Sequence, residues 1–236
     1  MTAAGRAQAA AAGVVAPAVA AFNRSLARTR KAGPGECAVL ASGLHGCFGV
    51  LATVVNSTGY AASGRWRGEF LPGQASDPDW LCSTAFAAAQ RLQDAANLTI
   101  AIRAIRSDGT LAELPVLRAE HVMWNACHNL SELIVEHRRA GAMPQVPDYA
   151  AVLAGLQAAC GPLASAADAI APRLDGIQPD PFSIWCEEFD GDLPAAFRSA
   201  ARYCRGAGRT VLSVRDCAAA DVRAWRSRSR VRPGGG

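Results

Sequence analysis

The segment His121-Val122-Met123-Trp124-Asn125-Ala126-Cys127-His128-Asn129-Leu130-Ser131-Glu132 gathers side chains with chemical potential. Imidazole and carboxylate groups ligate metals, and imidazole exchanges protons near neutral pH. At helical spacing, His121, Trp124, His128 and Glu132 fall on one stripe. His128 and Glu132 stand one turn apart and could share a metal. His121 lies two turns from His128, so a site including it needs a ligand from another helix. No second ligand pair is visible elsewhere. The plainer reading is a polar helix face with His at helical intervals, which leaves His121, His128 and Glu132 as weak metal candidates. No cofactor is expected.

Helix 115–140, with Gly141 and the Pro-rich exit behind it, resembles the last helix of the DinB-like metal-binding bundle family. The two histidine ligands of that family fall on Asn125 and Asn129 here. The resemblance therefore implies a bundle helix and carries over no metal-dependent activity.

A second chemistry is electrostatic. Arg24, Arg28, Arg30 and Lys31 cluster near one end of the chain, and Arg223, Arg226, Arg228, Arg230 and Arg232 recur every two or three residues near the other. Guanidinium binds phosphate through a planar fork, and each neutralised phosphate releases a counterion. Such arms hold nucleic acid without reading its sequence, although solvated basic tails look the same. Trp225 among these arginines suits either a base to stack on or a hydrophobic anchor for the last helix.

Ile184-Trp185-Cys186-Glu187-Glu188, followed by Asp190 and Asp192, is similar to the Ile/Leu-x-Cys-x-Glu motif by which viral and cellular proteins engage retinoblastoma-type pocket proteins. The similarity implies partner contacts at Ile184, Cys186 and Glu188. The alternative is a short amphipathic piece that docks Ile184, Trp185 and Phe189 onto the body. No GxGxxG, Walker loop, Gly-x-Ser-x-Gly elbow or HExxH occurs, and the acidic residues are scattered singly. A binding protein is thus a better reading than an enzyme.

The elements that must position these residues are helices. Half of the 236 residues are apolar, Ala dominates them, and alternating β-branched runs are rare. The expected class is mainly α: an antiparallel bundle of about four long helices with a smaller C-terminal helical appendage. Residues 1–35 form a basic Ala-rich arm or helix that Pro17 should kink or split. Residues 36–172 form the bundle core, residues 173–191 a Pro-rich linker with a short amphipathic segment, residues 192–226 the appendage, and residues 227–236 an Arg/Gly tail.

Within the core, the first helix runs from Glu36 to about Ser63, with Gly43, Gly46 and Gly49 as a stripe for close helix approach. Asp77 and Pro78 open a helix towards Arg106, and Pro115 and Gly141 bound the next. A fourth runs from Asp148 towards Ala171, bent at Gly161-Pro162. In the appendage, Asp192 and Pro194 start a helix ending near Gly206, Thr210–Val214 is extended, and Ser213-x-x-Asp216 caps a last helix to Arg226.

Charge divides along the same boundaries. Residues 1–35 carry five basic side chains and no acid, residues 205–236 carry a balance of +6, and the middle carries −7. Lys31 is the sole lysine, which points to a GC-rich coding sequence. Eight cysteines stand singly without a Cys-x-x-Cys pair, as buried thiols or as a disulfide framework. Asn23, Asn56, Asn97 and Asn129 begin Asn-x-Ser/Thr sequons.

Ala9–Phe22 is the only candidate export signal, and Gly13, Pro17 and the lack of Leu weaken it. Residues 37–55 are uncharged but diluted by Ser and Gly and flanked by basic residues on both sides, so a buried helix is expected and no membrane span. The leading expectation is a cytoplasmic or nuclear, non-enzymatic assembly or binding protein. It self-associates and contacts nucleic acid through its basic ends, as a viral coat or nucleoprotein does. The alternatives are a secreted, disulfide-linked helical glycoprotein, or a helical-bundle enzyme or metal-binding protein using the 121–132 face.

Overall fold

Small residues set how closely the helices of this protein approach one another. The computed structural model describes residues 1–29, 33–66, 77–99, 115–142, 146–176 and 192–231. It is mainly helical: α1 (Ala3–Arg28), α2 (Pro34–Trp66), α3 (Pro78–Thr99), α4 (Pro115–Arg139), α5 (Val146–Ile170) with a 3-10 turn at Ala171–Arg173, and α6 (Leu193–Val231). Among the described residues there is no strand.

The two most apolar helices lie in the middle. α2 packs on α3, α4 and α5, while α5 packs on α1, α6 and α2; α1 also meets α4, and α6 meets α3. One continuous core results, in which Phe22, Phe48, Phe197, Leu44, Leu92, Met123 and Leu130 are fully buried. Close approach depends on absent side chains. A methyl at Gly155 of α5 would stand 2.7 Å from the backbone of Ala12 on α1, and one at Gly208 of α6 would stand 2.8 Å from Cβ of Cys160 on α5. The expected α2 stripe works for two of its three members: Glu120 and Trp124 of α4 lie over Gly43 and Gly46, whereas a methyl at Gly49 would meet nothing within 4 Å.

Termini follow local chemistry. Thr2 accepts the Gly5 N–H at 2.9 Å as the α1 cap, and its own hydroxyl donates to Asp148 at 3.0 Å, which ties the start of α1 to α5. Gly141, with φ of 67°, closes α4: the Ala142 N–H bonds to the His137 carbonyl and the Gly141 N–H to that of Arg138. Neither internal proline divides its helix, since α1 runs unbroken through Pro17 and α5 through Pro162. Both helices are held along their length by tertiary packing, and the Pro162 carbonyl accepts a bond from Asn23 Nδ2 at 3.0 Å.

The C-terminal region differs most from the sequence expectation. In place of a helix, an extended piece and another helix, α6 is one helix of 39 residues. The Gly206–Gly208 stretch reads as a break because glycine weakens isolated helices. In the folded chain Gly208 is where α6 meets Cys160, so the missing side chain serves packing. α6 also sends Leu193, Phe197, Ala200, Cys204, Ala207, Val211 and Val214 into the common core.

One expectation is overturned. In place of no membrane span, three helices, Ala3–Arg28, Gly35–Ala62 and Asp148–Arg173, are long and apolar enough to cross a membrane, with mean hydropathies of 1.3, 1.8 and 1.4 over their best windows. Taken alone, residues 37–55 are diluted by glycine and serine. The helix runs on through Ala62, and α1 and α5 qualify as well. Between 33% and 61% of each window is buried against the other helices.

Candidate functional site

The least expected feature is an open groove of about 840 Å³ between α3 and α6. Its α3 wall carries Trp80, Thr84 and Arg91, and its α6 wall Ser199, Arg202, Tyr203, Gly206, Arg209, Thr210 and Ser213. Local sequence places both walls. Asp77 Oδ1 accepts the Asp79 N–H at 2.9 Å at the head of α3, which sets Trp80 in the first turn with Thr84 one turn on. Asp192 Oδ1 accepts the Ala195 N–H at 2.9 Å at the head of α6. From there the core-facing side of α6 fixes its rotation, so that residues 199, 202, 203, 206, 209, 210 and 213 share the opposite side.

Charge is the groove's main property. Arg91 donates to the Gly206 carbonyl at 3.3 Å and to the Thr210 hydroxyl, and Arg202 donates to Ser199 Oγ at 2.7 Å. These acceptors are neutral. Among the described residues no carboxylate lines the groove and none pairs with Arg91, Arg202 or Arg209. Elsewhere on α6, by contrast, Arg205 pairs with Asp168 and Arg215 with Asp216. Three guanidinium groups lining one concavity, without a countercharge among the described residues, create a field that attracts anions. Two aromatic rings accompany them: Trp80 and Tyr203 are each 41% exposed, and among the described residues neither stacks on another ring.

The α4 stripe is arranged differently. Trp124 stacks on His128 with ring centroids 4.8 Å apart and planes 12° apart, and its indole Nε1 lies beneath Gly46. His121 and Glu132 are exposed. Among the described residues no three His, Cys, Asp or Glu side chains come together as a metal site. The remaining histidines serve helix contacts. His45 Nδ1 lies 2.8 Å from the Ala96 carbonyl, and His137 Nδ1 lies 3.1 Å from Gln8 Nε2. Glu120 is the titratable group whose environment changes it most usefully: burial against α2 pushes its carboxyl up to about 7.

Of the basic residues singled out in the sequence, Arg24 and Arg28 are exposed in the last turns of α1. Positions 223, 226, 228 and 230 belong to the final turns of α6. Arg30, Lys31 and Arg232 lie outside the described residues, as do Ile184, Cys186 and Glu188. Arg91, Arg202, Arg209, Trp80 and Tyr203 escape the sequence reading, which weights local density of charge. One signal was available: positions 202, 209, 223 and 230 differ by multiples of seven and so keep to one broad side of a continuous helix, drifting by about 20° per heptad.

Thiols meet at two interfaces. Cys204 of α6 donates to the Cys160 carbonyl of α5 at 3.2 Å, and contact with the Cys160 thiol together with burial pushes its own thiol well above the usual range. Cys47 of α2 meets the thiol of Cys127 on α4. No disulfide joins any of the seven cysteines among the described residues.

No protein-family model, no curated protein and no solved structure matches this chain.

Proposed function

We propose that this protein is a non-enzymatic helical binding and assembly protein that contacts nucleic acid electrostatically, in the manner of a coat or nucleoprotein. The observation that carries the reading is the α3/α6 groove, lined by Arg91, Arg202 and Arg209, where among the described residues Arg91 and Arg202 bond to neutral acceptors and no carboxylate pairs with any of the three. A phosphate backbone supplies the missing negative charge, and the arginine fork fits its oxygens. α6 continues from this groove through positions 223, 226, 228 and 230, so the arginine-rich end extends the same element. Arg24, Arg28, Arg30 and Lys31 form a second, smaller basic region of this reading. Its bundle is antiparallel across residues 36–172, an arrangement supported by the packing of α2 on α3 and α4.

Filter binding of labelled RNA and DNA at low salt tests the proposal. The logarithm of the binding constant should fall linearly with log salt concentration, and binding should weaken when Arg223, Arg226, Arg228, Arg230 and Arg232 are changed together to Gln. A protein that retains neither nucleic acid at low salt does not have this function.

A second reading is a secreted, disulfide-linked glycoprotein. It draws support from the two thiol pairs, Cys160 with Cys204 and Cys47 with Cys127, each poised between neighbouring helices. Exposed Asn56 and Asn129 suit glycan attachment better than Asn23, whose amide is bonded to Pro162. Mass spectrometry of native protein tests it: free thiols and unmodified asparagines eliminate it.

A further inference from the structure

We infer that the α3/α6 groove takes single-stranded nucleic acid, with bases stacked on Trp80 and Tyr203 and the backbone held by Arg91, Arg202 and Arg209. This rests on the nucleic-acid reading above and specifies the form of the ligand.

The first ground is the pairing of aromatic and cationic groups in one concavity. A pure phosphate track needs arginines alone. Here Trp80 in the first turn of α3 and Tyr203 on α6 line the same groove as the three arginines. Both residues remain 41% exposed and, among the described residues, their rings are unstacked. Leaving indole and phenol faces in water is unfavourable, and a nucleobase is a ligand that covers such a face while its phosphate reaches a neighbouring guanidinium. In a duplex the base faces are occupied by their neighbours, so a duplex would use the arginines and leave both rings idle.

The second ground is extent. Arg202 and Arg209 stand seven residues apart on α6, roughly 10 Å along its axis, and Trp80 precedes Arg91 on α3 by three turns, roughly 16 Å. The groove is therefore longer than a site for one isolated phosphate. Its hydroxyls add neutral hydrogen bonding along that length: Thr84, Ser199, Thr210 and Ser213 all line it. Ser199 already holds Arg202 in place and Thr210 holds Arg91, so two guanidinium groups are partly preorganised.

The test is fluorescence anisotropy of the full-length chain with labelled oligothymidylate, labelled oligouridylate and a duplex of equal length, at fixed low salt. The expected result is tighter binding of a single strand than of the duplex. Trp80→Ala should weaken single-strand binding roughly tenfold and leave duplex binding unchanged, while Trp80→Phe restores most of the loss. Arg202→Gln with Arg209→Gln should lower the salt slope for the single strand by roughly 1.4, the contribution of two phosphates. The two single-strand arms separate RNA from DNA, and preference for either supports the inference. All three side chains are on the solvent side of their helices, and circular dichroism melting of each variant verifies folding.

Equal affinity for duplex and single strand overturns the inference, as does wild-type binding by Trp80→Ala together with the double arginine variant. If those groove variants are neutral while the C-terminal arginine variant loses binding, the groove assignment fails and the broader function stands. If no oligonucleotide binds at all, both fail.

Discussion

The carboxyl group of Glu120 lies over the bare Cα of Gly43, in the space that a side chain on α2 would fill. Burial there raises its titration to about 7. The folded state therefore holds a proton between the ordinary carboxyl range and neutrality that the unfolded chain has released. Stability from this group is fully present at low pH and is lost as pH rises towards 7. Glu120→Gln removes the titration while keeping the shape. It should stabilise the protein by roughly 1–3 kcal/mol at pH 8 and change little at pH 4, measured by urea unfolding at both values. A constant difference across pH would sink this account.

Two glycines should respond in opposite directions to the same added methyl. Gly155→Ala forces a side chain into the backbone of Ala12 and should destabilise by roughly 1–3 kcal/mol. Gly49→Ala enters open space in a helix interior and should stabilise by roughly 0.5–1 kcal/mol. Thermal unfolding of both variants checks the pair, and matching signs would contradict the close α1/α5 approach.

Thiol reactivity should follow burial. Under native conditions a maleimide should modify the partly exposed Cys82 and Cys217 first. Cys204, buried and with its thiol held in the protonated form, should resist, as should Cys37, which burial also raises despite the opposing charge of Arg173. Peptide mapping after timed labelling reads the order. Early modification of Cys204 would mean that the α5/α6 seam opens readily.

The tie between α1 and α5 should control the start of the chain. Asp148→Ala removes the acceptor for both the Thr2 N–H and the Thr2 hydroxyl, bonds of 3.2 and 3.0 Å. The loss should be roughly 1–3 kcal/mol, with faster amide exchange confined at first to the opening turns of α1. Uniformly faster exchange would instead point to a global role for this carboxylate.

Helix ends were written locally and could be read locally. Pro115 and Gly141 bound α4, and Asp77 with Pro78 begins α3, because caps and left-handed closures depend on a few consecutive residues. Gly208 could not be read that way. Its meaning depends on Cys160, a residue 48 positions earlier that only folding brings beside it. The groove was hidden for the same reason. Arg91 and Arg209 are unremarkable in their own neighbourhoods, and their convergence follows from the packing of α3 on α6. The apolar character of α1, α2 and α5 was visible, but the glycines in α2 drew weight away from its full length.

The unbroken last helix gives the molecule a mechanical property. At about 1.5 Å per residue its 39 residues make a rod of roughly 58 Å. One half is bedded among α3 and α5, and the other carries the closing run of arginines. Tension or twist imposed on that outer half travels through a single ladder of backbone hydrogen bonds to the seam where Gly208 meets Cys160.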